Sequence, residues 1–135
     1  MHSEASLSAA ISKPLTENAA SCPLGLAINT IGGRWKLYIM RELVLTGAQR
    51  YNALLGGIAG ISAKELTRNL RELKAAGLVE HVEDGANKLY VLTRLGREIE
   101  APFRALGIFG AALAESRKSR SKARFLQRRG ITTDP

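Results

Sequence analysis

The sequence contains few of the residues from which catalytic and metal sites are usually built. It has one cysteine and two histidines in 135 residues, and the histidines, His2 and His81, lie far apart in the chain. A lone cysteine, Cys22, excludes an intrachain disulfide and any CxxC metal or redox site. No metal-spaced cluster and no paired nucleophile and base are present. We therefore expect neither an enzyme nor a bound metal or cofactor.

Long apolar runs are also missing. No stretch approaches the roughly 20 apolar residues that a membrane-spanning helix requires. The start of the chain lacks the basic end and continuous apolar segment of a signal peptide. A chain of 135 residues has room for one domain with a hydrophobic core. We expect a cytoplasmic protein of one domain, with no membrane partner.

Positive charge is abundant but unevenly distributed. The net charge is +8, which suggests a polyanionic partner. Residues 116–135 hold seven Lys and Arg against one acid, a net of +6, and the rest of the chain holds thirteen against eleven, a net of +2. We predict a basic C-terminal tail over 116–135. The tail either binds phosphates along the DNA or only makes the chain more soluble.

Residues 61–77, ISAKELTRNLRELKAAG, have the pattern of one short, capped, basic helix. Ser62 and Glu65 stand at the spacing of a capping box, and Gly77 is a natural stop. Three leucines recur at spacings of four and three: Leu66, Leu70 and Leu73. They share one face, which we predict to be buried.

The opposite face of this helix carries polar and cationic side chains that could enter a DNA groove. The candidates for DNA contact are Ser62, Lys64, Thr67, Arg68 and Arg71. Arg68 is the best base reader, because its guanidinium can bond guanine through two hydrogen bonds. Asn69 lies nearer the core side and is a weaker candidate. The alternative for the whole set is a solvated basic face on a core helix.

This helix is the last of three predicted helices in quick succession, after 34–46 and 51–55, which together make a helix-turn-helix arrangement. Helices are predicted over 23–31, 34–46 and 51–55, and two strands over 78–82 and 88–92 with an Asp-Gly turn between them. Residues 1–20, with one short helix around 7–11, are predicted to be a flexible N-terminal arm. Residues 21–115 would then form the folded domain. The fold class is mainly α with a small β-hairpin.

Further contacts to the DNA backbone are predicted around this arrangement. Arg34, Lys36 and Arg50 lie at the starts of helices or links, where cations and backbone N–H groups favour phosphate. The alternative for each of these three residues is an ordinary surface position without a DNA contact. Asn87 and Lys88 would make a contact from the hairpin to an adjacent minor groove or backbone.

A long amphipathic helix is predicted to begin at Thr93, kinked at Pro102. Its apolar residues form a stripe at spacings of four, four, three, three and four: Leu95, Ile99, Phe103, Leu106, Phe109 and Leu113. A small domain would not cover such a stripe completely. The helix therefore invites pairing with a second copy of the chain.

Four motifs identify a resemblance to a known family. They are the Cys-Pro start at Cys22, Ile-Gly-Gly-Arg-Trp-Lys, the Gly-Ile-Ser entry to the basic helix, and Leu-Thr-x-Leu-Gly-Arg after the hairpin. Residues 22–110 closely resemble the HxlR-type winged-helix transcriptional regulators, which are MarR-like helix-turn-helix proteins. The hairpin loop is shorter than the family pattern and lacks its usual proline pair, and residues after Ser116 fall outside it.

The resemblance implies a homodimeric DNA-binding winged helix-turn-helix protein that dimerises through its N- and C-terminal helices. The residues assigned to this interface are Leu24, Ile28, Ile99, Phe103, Leu106, Phe109 and Leu113. The partners expected are double-stranded DNA and a second copy of the chain, and a small-molecule or oxidant effector is compatible with the family.

Cys22 is predicted to be the N-cap of the first helix. A thiol there feels the positive end of the helix dipole and unpaired N–H groups, which favour the reactive thiolate. Several members of the resembling family sense oxidants or electrophiles through a cysteine at this place. The alternative is a small structural cysteine without a sensing role.

The function that we predict is a sequence-specific transcriptional regulator, a homodimer on an inverted-repeat operator, with Cys22 as a candidate redox sensor. The alternative is a winged-helix protein-interaction module, or an architectural nucleic-acid binder that relies on the basic tail.

Overall fold

The computed structural model describes residues 22–131, so the predicted arm at 1–20 and the last four residues lie outside the described chain. The elements follow one another in this order: α1 Pro23–Ile31, α2 Trp35–Thr46, β1 Gln49–Arg50, α3 Tyr51–Gly57, α4 Ala63–Ala75, β2 Val79–Asp84, β3 Asn87–Leu92, a 3-10 turn Gly96–Ile99, and α5 Glu100–Arg128. The predicted fold class, mainly α with a small antiparallel sheet, is confirmed.

The chain divides into two compact units, one ending at Arg97 and the other beginning at Glu98. In the first unit, α2 packs on α4, α3 and β3, and α4 packs on β2. The buried apolar side chains of these elements form the core: Trp35, Ile39, Met40, Leu43, Leu54, Ile58, Ile61, Leu66, Leu70, Leu73, Val79 and Leu92. This core holds the helix-turn-helix and the sheet together.

Helix α4 has the ends and the buried face that its sequence predicts. Leu66, Leu70 and Leu73 are all buried. After the helix, Gly77 adopts a left-handed backbone with φ of 76°, and the N–H of Leu78 bonds the carbonyl of Leu73 at 3.0 Å. This hydrogen bond closes the last turn of α4. It requires a left-handed backbone at position 77, which glycine adopts more readily than any other residue.

The sheet is larger than predicted. Its strand order is β1-β3-β2, all antiparallel, and β1 is not among the two strands that the sequence predicts. The hairpin strands run from Val79 paired with Leu92 to Asp84 paired with Asn87. Only two residues, Gly85 and Ala86, therefore form the turn, and Gly85 has the positive φ, 63°, that such tight turns need.

Thr93 does not begin the long helix. Its hydroxyl donates to the carbonyl of Gly77 at 2.5 Å and accepts from the N–H of Gly96 at 3.0 Å. A Cβ on Gly96 would lie 2.1 Å from the carbonyl oxygen of Leu78. The Leu-Thr-x-Leu-Gly-Arg motif thus locks the chain after β3 against the end of α4, and only glycine fits this approach.

Helix α5 starts at Glu100 and continues as far as Arg128. Pro102 therefore lies in the first turn, where its missing N–H breaks no helical hydrogen bond; the predicted kink inside a longer helix was wrong. Residues 116–128 of the predicted tail continue this helix. No helix in the described chain is long and apolar enough to cross a membrane.

We predict that Gly96→Ala destabilises the fold and that Gly107→Ala does not. The Gly96 variant forces the Leu78 carbonyl to move, which we expect to cost about 1–3 kcal/mol or more of the free energy of unfolding. Gly107 lies inside α5 with nothing within 4 Å of an added Cβ, so alanine should be neutral or stabilising by up to about 1 kcal/mol. Urea unfolding measures both, and equal stabilities would contradict the role assigned to Gly96.

Candidate nucleic-acid interface

The start of α4 is held by a complete capping box. The Ser62 hydroxyl accepts from the N–H of Glu65 at 3.1 Å, and the Glu65 carboxylate accepts from the N–H of Ser62 at 3.2 Å. These bonds satisfy backbone donors that a helix start leaves without partners. The capping box predicted from the sequence is confirmed, and the Ser62 hydroxyl already has this bond before any DNA is bound.

The second oxygen of the Glu65 carboxylate accepts from the indole N–H of Trp35 at 2.5 Å. Trp35 is the first residue of α2 and is buried. One carboxylate therefore joins the start of α4 to the start of α2. The hydrogen bonds from the Ser62 side chain and backbone, and then from Trp35, hold the pKa of Glu65 below its ordinary value of 4.5.

A second connection joins the two helices further along. The Lys36 ammonium on α2 donates to the side-chain oxygen of Asn69 at 3.3 Å and forms an ion pair with the carboxylate of Glu72. This pair holds the pKa of Glu72 below its ordinary value. Asn69 is buried, and its amide donates to the carbonyl of Glu65 at 2.7 Å.

These contacts give Lys36 a different role from the predicted one. Its side chain is only 13% exposed and is bonded within the chain, so it joins α2 to α4 in this structure; its contact to a DNA phosphate stays a prediction. The sequence shows a lone cation after a tryptophan, whereas its two partners lie more than thirty residues away and are brought to it by packing. Asn69 faces the core side, as expected.

The face of α4 opposite the buried leucines is open. Its side chains Lys64, Thr67, Arg68 and Arg71 are all exposed. With the helix fixed at Glu65 and Glu72, these side chains project from one side of the first unit. Three cations and a hydroxyl on one exposed face can bond phosphates and base edges.

Tyr51, the first residue of α3, also belongs to this surface, although the sequence analysis did not select it. Its hydroxyl lies 2.9 Å from the carbonyl oxygen of Ala63 and 2.8 Å from the Thr67 hydroxyl. The only sequence signal was a tyrosine at a helix start. The hydroxyl of Thr67 is therefore held in place by Tyr51.

A cleft of about 210 Å³ opens beside these residues, between α4 and the sheet. It is lined by Tyr51, Thr67, Leu70, Arg71, Lys74 and Tyr90. Lys74 Nζ lies 2.7 Å from Nδ1 of His81 on β2, so one more cation stands at its edge. Basic and hydroxyl groups of α3, α4 and β3 thus line the cleft together with Leu70.

The remaining backbone candidates are on the surface. Arg34 is exposed, with its guanidinium 4.4 Å from the centre of the Trp35 ring. Arg50 is exposed immediately before α3. Lys88 is exposed beside the hairpin turn, 5.7 Å from the Tyr90 ring centre, and Asn87 is partly exposed as the first residue of β3.

The N-cap position of Cys22 is confirmed. Its sulfur accepts from the N–H of Gly25 at 3.4 Å, and its side chain is buried. Burial means that a reagent reaches this sulfur only when the structure around it opens.

The residues assigned to the dimer interface differ in exposure. Leu24, Ile28, Leu106, Phe109 and Leu113 are exposed, and Phe103 is partly exposed. Ile99 is only 8% exposed, so it offers almost no surface to a second chain. Among the described residues, no group of acidic, histidine and cysteine side chains is arranged to hold a metal ion.

Comparison with known proteins identifies the relatives of this chain. The sequence model of the HxlR-like helix-turn-helix family matches residues 30–118. The chain is similar to sll1512 of Synechocystis sp., an uncharacterised HTH-type transcriptional regulator, with 31% identity over 73% of this chain and 74% of that protein.

Two solved structures share the fold. The reduced form of the redox regulator HypR has 29% identity and a TM-score of 0.62, over 72% of this chain and 98% of that one. The quinone-bound form of YodB from B. subtilis has 28% identity and a TM-score of 0.60, over 67% of this chain and 99% of that one. The fold is therefore that of winged-helix regulators, as predicted.

We predict that Glu65→Gln makes the stability of the chain less sensitive to acid. Because the pKa of Glu65 is lowered in the folded chain, its bonds add stability above about pH 4.5, and this contribution is lost as the pH falls through the lowered pKa. The variant should be less stable than the parent at about pH 7. The difference in their free energies of unfolding should shrink towards about pH 3.

Urea unfolding over this pH range measures that difference. Glu98→Gln, which changes an exposed carboxyl outside α4, is the matched control for the loss of one carboxyl. A difference for Glu65→Gln that does not change with pH would refute the assigned role of its carboxylate.

Proposed function

We propose that this chain, which belongs to the HxlR-like helix-turn-helix family of transcriptional regulators, is a homodimer that binds an inverted-repeat operator in the cytoplasm. The observation that carries the proposal is the exposed face of α4, fixed in orientation by the Glu65 and Lys36 contacts. A side chain reads a base edge well only if its helix is held rigidly. These two connections support that requirement.

In this proposal α4 enters the major groove, where its first half meets base edges. Lys64 and Arg68 have no hydrogen bond or ion pair among the described residues and are the main readers. Arg68 suits guanine, because its planar fork bonds two acceptors at once. Thr67, held by Tyr51, offers its hydroxyl, and Arg71 reaches the backbone or a further base.

Arg34 and Arg50 are proposed to bind phosphates at the borders of the groove, and Asn87 and Lys88 to make the contact from the hairpin. The two-residue turn keeps the hairpin tip compact, so its reach beyond β2 and β3 is short. Its contact should therefore be to the adjacent backbone rather than deep in a minor groove. Phosphate contacts position the protein, and α4 supplies the specificity.

The homodimer is supported by apolar side chains exposed on α1 and on α5. Leu24 and Ile28 are exposed on α1, and Leu106, Phe109 and Leu113 on α5. Isolated apolar side chains are normal on surfaces, but a row along one helix face favours a protein partner. Ile99 is not part of the proposed dimer surface because its side chain is buried. In a two-fold dimer the two α4 helices would enter major grooves about 34 Å apart.

Cys22 is proposed as the point at which an oxidant or electrophile is sensed. HypR is described as a redox regulator, and YodB has been solved with quinone bound. In this chain the sulfur caps α1, next to the exposed Leu24 of the proposed dimer surface. Modification of a buried cap would disturb α1, and with it the spacing of the two α4 helices.

We predict that Arg68→Ala relaxes sequence preference at one base pair of each half-site. Losing a bidentate contact should reduce discrimination at that position by about 1–3 kcal/mol. Arg41→Ala removes the same charge from an exposed site on α2 and should leave the preference intact. Fluorescence anisotropy with duplexes enriched from a random library, each base pair varied in turn, makes the comparison. An unchanged base preference in the Arg68 variant would refute its role as a reader.

We predict that Cys22→Ser keeps DNA binding under reducing conditions but loses release by quinone or peroxide. Cys22→Ala serves as a second variant, since a buried hydroxyl can itself destabilise the fold. Titration of the DNA complex with benzoquinone, followed by anisotropy, measures the release. If the parent and both variants respond alike, Cys22 is not the sensor.

A further inference from the structure

The basic segment at the end of the chain is part of a helix with its own sequence-coded stop. Gly130 has a left-handed φ of 71°. The N–H of Ile131 bonds the carbonyl of Leu126 at 2.9 Å, and the N–H of Gly130 bonds that of Gln127 at 3.1 Å. This pair of bonds is a Schellman motif, which terminates helices at a glycine. The segment is thus ordered up to this glycine.

Its seven cations, six in α5 and one at the C-cap Arg129, fall into two rows. At about 100° per residue, four arginines lie within a sector of about 80°: Arg117, Arg120, Arg124 and Arg128. We call these four the arginine row. The other three cations lie in a separate sector of about 40°: Lys118, Lys122 and Arg129.

The two rows differ in what surrounds them. Lys118 lies 3.6 Å from the carboxylate of Glu115, and the guanidinium of Arg129 lies 4.7 Å from the centre of the Phe125 ring. The arginine row has no ion pair, hydrogen bond or ring contact anywhere in residues 22–131. Its members stand three and four residues apart, a spacing at which like charges repel one another on a helix.

Such a row favours an anionic partner that repeats along a line. Guanidinium groups bond phosphates through two parallel hydrogen bonds. From Arg117 to Arg128 the helix rises about 16 Å, which is close to half of the roughly 34 Å turn of B-DNA. A strand of DNA offers several phosphates over that length.

The remaining surface of this segment argues against a lipid partner. A helix that lies on a membrane carries large apolar side chains on the face opposite its cations. Here the face opposite the arginine row holds Ser119, Leu126 and the cations of the second row, with Ala123 and Phe125 at its two edges. Its two large apolar side chains, Leu126 and Phe125, share this face with cations, whereas a stable membrane contact needs a continuous apolar face.

We propose that the arginine row is a second DNA site, which binds backbone phosphates of duplex DNA outside the sequence read by α4. The proposal rests on the DNA-binding function proposed above. The family match ends at residue 118, so three of the four arginines lie beyond the residues that the family model describes. It adds affinity that depends on salt and not on sequence.

The test uses the full chain and two variants with the same change in charge. Arg120→Gln, Arg124→Gln and Arg128→Gln together remove most of the arginine row, whereas Lys118→Gln, Lys122→Gln and Arg129→Gln remove the other row. Glutamine supports a helix about as well as the residues it replaces, and circular dichroism checks this. The probe is a random-sequence duplex of about 40 base pairs, or about four turns, titrated between about 50 and 200 mM salt.

We expect the arginine variant to lower the slope of log K against log salt by roughly 2.7 for each helix bound, or about 0.9 per lost phosphate. The affinity that the arginine variant loses between about 50 and 200 mM salt is then about 40-fold smaller than the loss of the parent chain. The control variant should change the slope by less than about one unit. Equal changes in both variants, or no change in either, would overturn the proposal. The proposal would also be overturned if the arginine variant lost binding to phosphatidylserine vesicles while the salt slope of its DNA binding stayed unchanged.

Sequence preference separates this inference from the proposed function. A parent chain that shows the arginine-dependent slope but no preferred sequence would refute the operator-binding function and leave the second site standing. If the parent selects a sequence but the parent and the arginine variant have the same salt slope, the second site is refuted and the proposed function stands.

Discussion

The carboxylate of Glu65 is the contact on which the orientation of α4 depends. One of its oxygens caps the helix through the backbone of Ser62, and the other holds the indole of Trp35, which is part of the core. The Lys36 contacts to Asn69 and Glu72 fix α4 again two turns later. A helix held at two points cannot rotate about its axis, so the same side chains stay turned outward.

Local signals in the sequence predicted α4 well, and contacts between distant residues limited the rest. The cap at Ser62 and the stop at Gly77 depend only on neighbouring residues, so both could be read directly. The internal role of Lys36, the position of Tyr51 and the pairing of β1 arise from packing between segments far apart in the chain. The helix end at Gly130 was a readable local signal, but the dense charge before it favoured the prediction of a tail.

Charge and specificity are separated along this chain. Most of the net charge lies after residue 115, where an arginine row suits phosphates but cannot distinguish bases. In the proposed function, specificity comes from the few exposed side chains of α4, among them Lys64, Arg68 and Arg71. A few contacts discriminate well only if they are rigid and repeated, which is why the fixed helix and the proposed two-fold dimer belong together. In the proposal, Cys22 lies next to the surface that sets the spacing of the two copies.

The central claim is that α4 reads DNA and is presented twice by a symmetric dimer. Selection of bound duplexes from a fully random library by the full chain, followed by sequencing, tests it most directly. We predict enrichment of an inverted repeat whose half-site centres lie about 10 to 10.5 base pairs, or one turn, apart. Recovery of unenriched sequences, or of a single half-site without a symmetric partner, would contradict it.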